Sequence, residues 1–181
     1  MTHVIIADRD GTLIQDGHYI SKVDQVHFIP KVAESIYLLR SIDVDLFVAS
    51  NQSGIARGFF DLKSVLDINA FIKSNLDPSG CIIKDFYFCS HSPSDGCNCR
   101  KPRTGMYDSV LAGLAYVPET VHVVGDRLCD MEFGSNIKAF SYHVLTGKGQ
   151  VDRKLLLDFP AIEFCTDFFD AVQRSIARVT N

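Results

Sequence analysis

The chain is 181 residues long, 46% apolar and 22% charged, the composition of a single globular domain over residues 1–181 with enough length for a substantial core. Its net charge of −4 argues against a general nucleic-acid binder, which carries a basic excess. No apolar stretch nears membrane-spanning length and no basic-then-apolar leader opens the sequence, so a monomer of the cytoplasm with neither membrane nor nucleic-acid partners is expected.

The first element is a β-branched run, His3–Ala7, which reads as a buried strand and stops at Asp8-Arg9-Asp10-Gly11-Thr12. Val32, Ile36 and Leu39 then share one helical face after Pro30, a residue suited to a helix start. A second strand is expected over Val44–Ala49, followed by a helix with Val65, Ile68 and Ile72 on one face and Asp61 as its cap. Further strands are predicted at Ile82–Phe88, Val121–Val124 and Ala139–Leu145, with helices over Gly105–Leu114 and Cys129–Ile137. Asp167 heads the last helix, which turns Phe168, Val172 and Ile176 inward, while residues 146–160 read as an irregular surface excursion. Strands alternating with helices predict an α/β fold: a Rossmann-like parallel sheet of right-handed βαβ units with helices on both faces.

Four of the strand ends carry chemistry, and ligands of open α/β sheets gather where strands end. Asp8 and Asp10 repel one another unless a cation sits between them, and Mg²⁺ takes one or two carboxylates plus substrate phosphate. A carboxylate can also act as a nucleophile that accepts a phosphoryl group. Ser50-Asn51-Gln52-Ser53-Gly54 offers a hydroxyl, an amide and main-chain N–H groups to phosphate oxygens. Arg100-Lys101 supplies adjacent cations to neutralise a transferring phosphoryl group. Asp126 and Asp130 in Gly125-Asp126-Arg127-Leu128-Cys129-Asp130 add carboxylates for a metal. Taken singly, each has a bland alternative as turn, helix cap or solvated face. Their order and common placement favour a phosphate site.

The set from Asp8 to Asp130 resembles the haloacid dehalogenase superfamily of phosphotransferases. The resemblance implies Asp8 as a nucleophile that forms an aspartyl-phosphate, and Asp10 as general acid and then base. It implies Ser50 and Lys101 holding the phosphoryl oxygens. Mg²⁺ would be bound by Asp8, Asp126 and the main-chain carbonyl of Asp10, with Asp130 supporting the metal from behind. These roles suit phosphoryl transfer, which demands positioning and charge neutralisation above all.

Three of the six cysteines fall within residues 89–99 with a histidine among them. Cys89, His91, Cys97 and Cys99 form a closed donor set suited to structural Zn²⁺ in a loop spanning 89–99. Packed free thiols and a nucleic-acid zinc knuckle are the alternatives; Cys81, Cys129 and Cys165 read as ordinary thiols. A zinc loop beside phosphatase motifs is similar to the histidinol-phosphatase and heptose-bisphosphatase branch, whose members lack a large cap domain. Asn51-Gln52-Ser53-Gly54-Ile55-Ala56-Arg57-Gly58 and Asp16-Gly17-His18-Tyr19 resemble the D-glycero-D-manno-heptose 1,7-bisphosphate 7-phosphatase version. That likeness implies Asp16, Gly17, His18, Tyr19, Asn51, Gln52, Ser53, Arg57, Arg100 and Arg127 as contacts to a small phosphorylated sugar. The short interval between His91 and Cys97 is instead of the histidinol-phosphatase type, so histidinol phosphate is the competing substrate. A zinc-stabilised binding module without catalysis is the alternative of another class.

Overall fold

The computed structural model describes residues 2–157, 159 and 161–180. Six parallel strands form one sheet: β1 (His3–Ala7), β2 (Val44–Asn51), β3 (Ile83–Cys89), β4 (Val121–Gly125), β5 (Phe140–Val144) and β6 (Ile162–Cys165). Their spatial order is β3-β2-β1-β4-β5-β6. The chain therefore winds outward in one direction from β1 to β3 and in the other from β4 to β6. That reversal leaves a crevice at the carboxyl ends of β1, β2 and β4.

Side-chain alternation along β1 divides the core. Ile5 and Ala7 face one layer with Ile36 and Leu39 of α1 (Val32–Leu39), Ile68 and Ile72 of α2 (Leu62–Leu76), and Phe168 and Val172 at the C-terminal end of the chain. Val4 and Ile6 face the opposite layer, with Met106 and Val110 of α3 (Gly105–Gly113) and Met131 and Phe133 of α4 (Leu128–Asn136). Helices thus cover both faces, as expected, and no large cap stands over the sheet among the described residues. Each fully buried aliphatic side chain contributes about 1.5–3 kcal/mol, so the sheet is a rigid platform for what its ends carry. The Asp61 cap is present: its carboxylate accepts from Ser64 N–H at 2.8 Å.

Two elements depart from the sequence expectation. β6 is a four-residue strand at the sheet edge, too short to stand out as a periodic run. Residues 146–157 are not an irregular excursion: Gly149–Asp152 forms a helical turn, α5, and Arg153–Leu155 a 3₁₀ turn. The loop ahead of α5 packs on the strand ends rather than leaving the domain. Residues 158 and 160 of the expected excursion lie outside the described residues. The last helix, α6 (Phe168–Thr180), is headed by Asp167, whose carboxylate accepts from Asp170 N–H at 2.9 Å.

Candidate active site

β1 delivers Asp8 to the crevice floor, where the Lys101 ammonium donates to Asp8 Oδ1 at 2.6 Å. The same ammonium reaches Asp130 Oδ1 at 2.6 Å and the Ala49 carbonyl at 2.5 Å, so it is buried with three oxygen partners. Burial alone would depress Lys101, but Asp130 and Asp8 outweigh it and keep the ammonium charged. Lys101 is itself held by Asn51 of β2: the Asn51 amide donates to the Lys101 carbonyl at 3.1 Å and accepts its N–H at 3.0 Å. Asp126, at the end of β4, is fully buried.

Burial first, and then neighbouring carboxylates, push Asp8 up to about 7 against the pull of Lys101. Burial, then Asp8 and Asp130, push Asp126 up to about 8. Asp8, Asp126 and Asp130 each place a carboxylate oxygen within 4.8 Å of the others. An ion with bonds of about 2.1 Å holds octahedral ligands about 3–4.2 Å apart, so the cluster has the dimensions of a Mg²⁺ site, with Asp130 committed to the Lys101 ammonium behind it. When all three are ionised they face one ammonium, an excess of two negative charges that a divalent cation cancels. Asp126 Oδ1 is buried with no hydrogen-bond partner, the sign of a ligand atom kept free. The donor set fits the metal.

Asp10 stands apart from that cluster. Its carboxylate accepts from Gln52 Nε2 at 2.8 Å and Ser50 Oγ at 3.4 Å, and pairs with the Arg9 guanidinium at 3.0 Å. Arg9 is buried and anchored on the far side by Asn69 Oδ1 of α2 at 3.0 Å. Sequence reasoning passed over Arg9, Asn69, Gly11, Thr146, Gly147 and Lys148. Arg9 lay in plain sight between two aspartates, but its partner is 60 residues away.

Above the floor lies a cleft of about 430 Å³. Its wall includes Asp16, His18, Tyr19, Ser50, Asn51, Gln52, Ser53, Arg100, Arg127 and Lys148. Gly17 and Arg57 are outside the wall, but Arg57 donates to the Tyr19 hydroxyl at 3.0 Å. Tyr19 also packs on Phe59 with ring centroids 4.5 Å apart. Arg127 Nε is drawn to Asp152 at 3.2 Å, and the Lys148 ammonium lies 3.7 Å from Asp16. Arg100 Nη1 is buried without a partner.

Cys89, His91, Cys97 and Cys99 converge immediately before Arg100. The Cys89–Cys97 sulfur separation is 3.6 Å, and His91 Nδ1 lies 3.7 Å from Cys89 and 3.3 Å from Cys99. Zn–S bonds of about 2.3 Å and a Zn–N bond of about 2.0 Å set tetrahedral edges of about 3.5–3.8 Å, so these donors fit Zn²⁺.

A HAD-hydrolase-like family model matches residues 98–171. The D-glycero-β-D-manno-heptose-1,7-bisphosphate 7-phosphatase of Pseudomonas putida is 32% identical over 174 residues, covering 96% of this chain and 98% of that protein. The enzyme of the same name from Pasteurella multocida is 34% identical over 144 residues, 76% of this chain and 78% of its own length. Among solved structures, the D,D-heptose 1,7-bisphosphate phosphatase of B. bronchiseptica complexed with magnesium and phosphate superposes with a TM-score of 0.89. It is 29% identical and is matched over 98% of this chain and 99% of its own. Kinship over nearly the whole length, on a fold and strand-end site of this kind, places the chain in the D-glycero-D-manno-heptose-1,7-bisphosphate 7-phosphatase family of haloacid dehalogenase-like hydrolases.

Proposed function

We propose that this chain is a Mg²⁺-dependent phosphatase that removes the 7-phosphate of D-glycero-D-manno-heptose 1,7-bisphosphate and leaves the 1-phosphate, in the making of nucleotide-activated heptose. The observation that carries the reading is the floor of the cleft: Asp8 bonded to Lys101 at 2.6 Å, beside Asp126 and Asp130. Relatives of matching length bear that activity in their names, and one was solved with magnesium and phosphate. Asp8, Asp126 and the main-chain carbonyl of Asp10 hold Mg²⁺, and Asp130 supports it while gripping Lys101. Bound there, the ion supplies Lewis-acid neutralisation of the phosphoryl oxygens.

Asp8 attacks the phosphorus of the 7-phosphate and the bond to the sugar oxygen breaks. Asp10 gives its proton to the departing oxygen, which releases the alcohol and leaves an aspartyl-phosphate on Asp8. Asp10, now a carboxylate, takes a proton from water. The resulting hydroxide attacks the aspartyl-phosphate, freeing inorganic phosphate and restoring Asp8. Lys101 and Ser50 hold the phosphoryl oxygens, and Arg9 keeps Asp10 beside Ser50 and Gln52.

At the cleft wall Arg100, Arg127 and Lys148 meet the phosphate that is retained. The same cations repel the ammonium of histidinol phosphate. His18, Tyr19, Gln52, Ser53 and Asp16 face the sugar, Asn51 lines the wall while its amide holds the Lys101 main chain, and Gly17 and Arg57 shape and brace the Tyr19 loop. Zn²⁺ on Cys89, His91, Cys97 and Cys99 fixes the loop that presents Arg100 and Lys101. We place the enzyme in the cytoplasm as a monomer; no helix among the described residues is long and apolar enough to cross a membrane.

The test is phosphorus NMR of the bisphosphate incubated with enzyme, with Mg²⁺ or with a chelator. Loss of the 7-phosphate signal alone, and only with Mg²⁺, is expected. Loss of the 1-phosphate first, or equal rates with chelator, overturns the proposal.

A further inference from the structure

Asp126 is enclosed from two sides by main chain. A Cβ on Gly11 would fall 2.3 Å from Asp126 Oδ2, and one on Gly147 would fall 2.2 Å from the same atom and 2.5 Å from Gly11 Cα. Both glycines have positive φ, +88° and +54°, which side-chain-bearing residues rarely adopt. The two turns therefore meet across the carboxylate, and a hydrogen bond ties them together: Thr146 Oγ1 donates to the Gly11 carbonyl at 2.6 Å. Lys148 N–H donates to Asp126 Oδ2 at 2.7 Å. One carboxylate oxygen is thus spoken for, and Oδ1 is left with no partner.

The far side of this turn is fixed as well. His143 of β5 bonds the Gly149 carbonyl at 2.9 Å, and Asp152 Oδ2 accepts from Leu128 N–H at 3.0 Å at the start of α4. The turn is therefore held from β5 below and from α4 beside it, and cannot shift without moving Asp126.

We propose that the Thr146–Gly147–Lys148 turn is the positioning element of the metal site: it fixes the Asp126 carboxylate through Oδ2, leaving Oδ1 free, and locks the Asp8–Gly11 segment to it. The turn bonds two ligand-bearing segments that are 115 or more residues apart in sequence: Thr146 Oγ1 reaches Gly11 and Lys148 N–H reaches Asp126, in addition to the Asp8 N–H bond to the Val124 carbonyl where β1 meets β4. Groups that orient a ligand from behind typically change metal affinity by about 10–100-fold when removed. The inference rests on the reading of Asp126 as a Mg²⁺ ligand.

The experiment is calorimetric titration of Mg²⁺ into the substrate-free chain. Thr146→Val keeps the β-branched shape and deletes only the hydroxyl; its Mg²⁺ dissociation constant should rise about tenfold, with kcat recovering at saturating Mg²⁺. Gly147→Ala, which forces a Cβ against Asp126, should lose about a hundredfold or more. Lys148→Ala retains the main-chain N–H, so its Mg²⁺ dissociation constant without substrate should stay within about twofold of the unsubstituted chain even though its KM for the bisphosphate rises, because the turn rather than the ammonium does the orienting. An unchanged Mg²⁺ constant in Thr146→Val overturns the inference, as does an equal loss in Lys148→Ala. Absence of Mg²⁺ binding by the unsubstituted chain overturns instead the reading of the site on which it rests.

Discussion

At the floor of the cleft, Asp8, Lys101, Asp126 and Asp130 are buried within reach of one another, whereas at the rim Arg57, Arg127 and Lys148 are exposed and lean on single partners. Unpairing a buried charge costs about 3–5 kcal/mol, but an exposed ion pair is worth only about 0–1 kcal/mol. The floor therefore holds its geometry whether or not substrate is present. The rim can exchange Asp16 or Asp152 for a phosphate at almost no cost. In the proposed function, chemistry falls to the rigid half and selection to the exchangeable half.

The contrast is tested most severely at Asp8. Asp8→Asn preserves shape, and Lys101 retains Asp130 and the Ala49 carbonyl, so folding should survive. Turnover should fall by about 10⁴-fold or more, because an amide neither attacks phosphorus nor binds Mg²⁺ well. A near-normal kcat at saturating Mg²⁺ rules out the covalent route.

Zinc removal comes next. Elemental analysis should give one zinc per chain, and Cys97→Ser should lower the melting temperature by about 10 °C or more, at about 2–4 °C per kcal/mol. Because the cluster ends immediately before Arg100 and Lys101, affinity for inorganic phosphate should fall in parallel. A zinc-free chain that melts and binds phosphate normally would remove the metal from the account.

The end of the sheet away from the cleft supplies a control. His122 on β4 is wholly buried, bonded to Thr120 Oγ1 at 2.8 Å and the Tyr142 hydroxyl at 3.3 Å. Burial first, then His3, push it down from 6.5 to about 4. The unfolded chain therefore takes up this proton below pH 6.5 while the folded chain resists until about pH 4. Stability is complete above pH 6.5 and declines as the pH falls to about 4, by about 3 kcal/mol at most. The raised Asp8 and Asp126 act in the opposite sense over the same pH range, so the His122 contribution is read as the difference in chemical denaturation between the unsubstituted chain and His122→Phe, which should change by about 3 kcal/mol between pH 6.5 and 4. At this end burial simply neutralises a side chain; at the floor the carboxylates are retained because a cation is to be bound.

The mildest effect is expected at the cleft wall. Arg100→Ala should raise KM for the bisphosphate about tenfold, near 1.4 kcal/mol, with little change for an aryl monophosphate. Equal changes for both substrates would place Arg100 on the transferring phosphate instead.

Much of this was readable from sequence because the signals are local. β1, β2 and β4 are largely apolar runs, and each ends at the polar residues it presents. The cysteine–histidine cluster announces itself by spacing within residues 89–99. What escaped depends on distant partners. Arg9 is buried only because Asn69 meets it from α2, and Asn51 proves to grip the main chain of Lys101. The 146–149 turn has no apolar period; its meaning lies in Gly11 and Asp126, which the sheet brings to it. β6, four residues long, gains its strand character from pairing with β5.

Preference for a sugar bisphosphate is decided by kcat/KM for D-glycero-D-manno-heptose 1,7-bisphosphate against histidinol phosphate at saturating Mg²⁺. A bisphosphate preference of about a hundredfold or more is expected, because any two of the three wall cations Arg100, Arg127 and Lys148, at about 1.4 kcal/mol each, supply it. Equal values, or a higher value for histidinol phosphate, would contradict it.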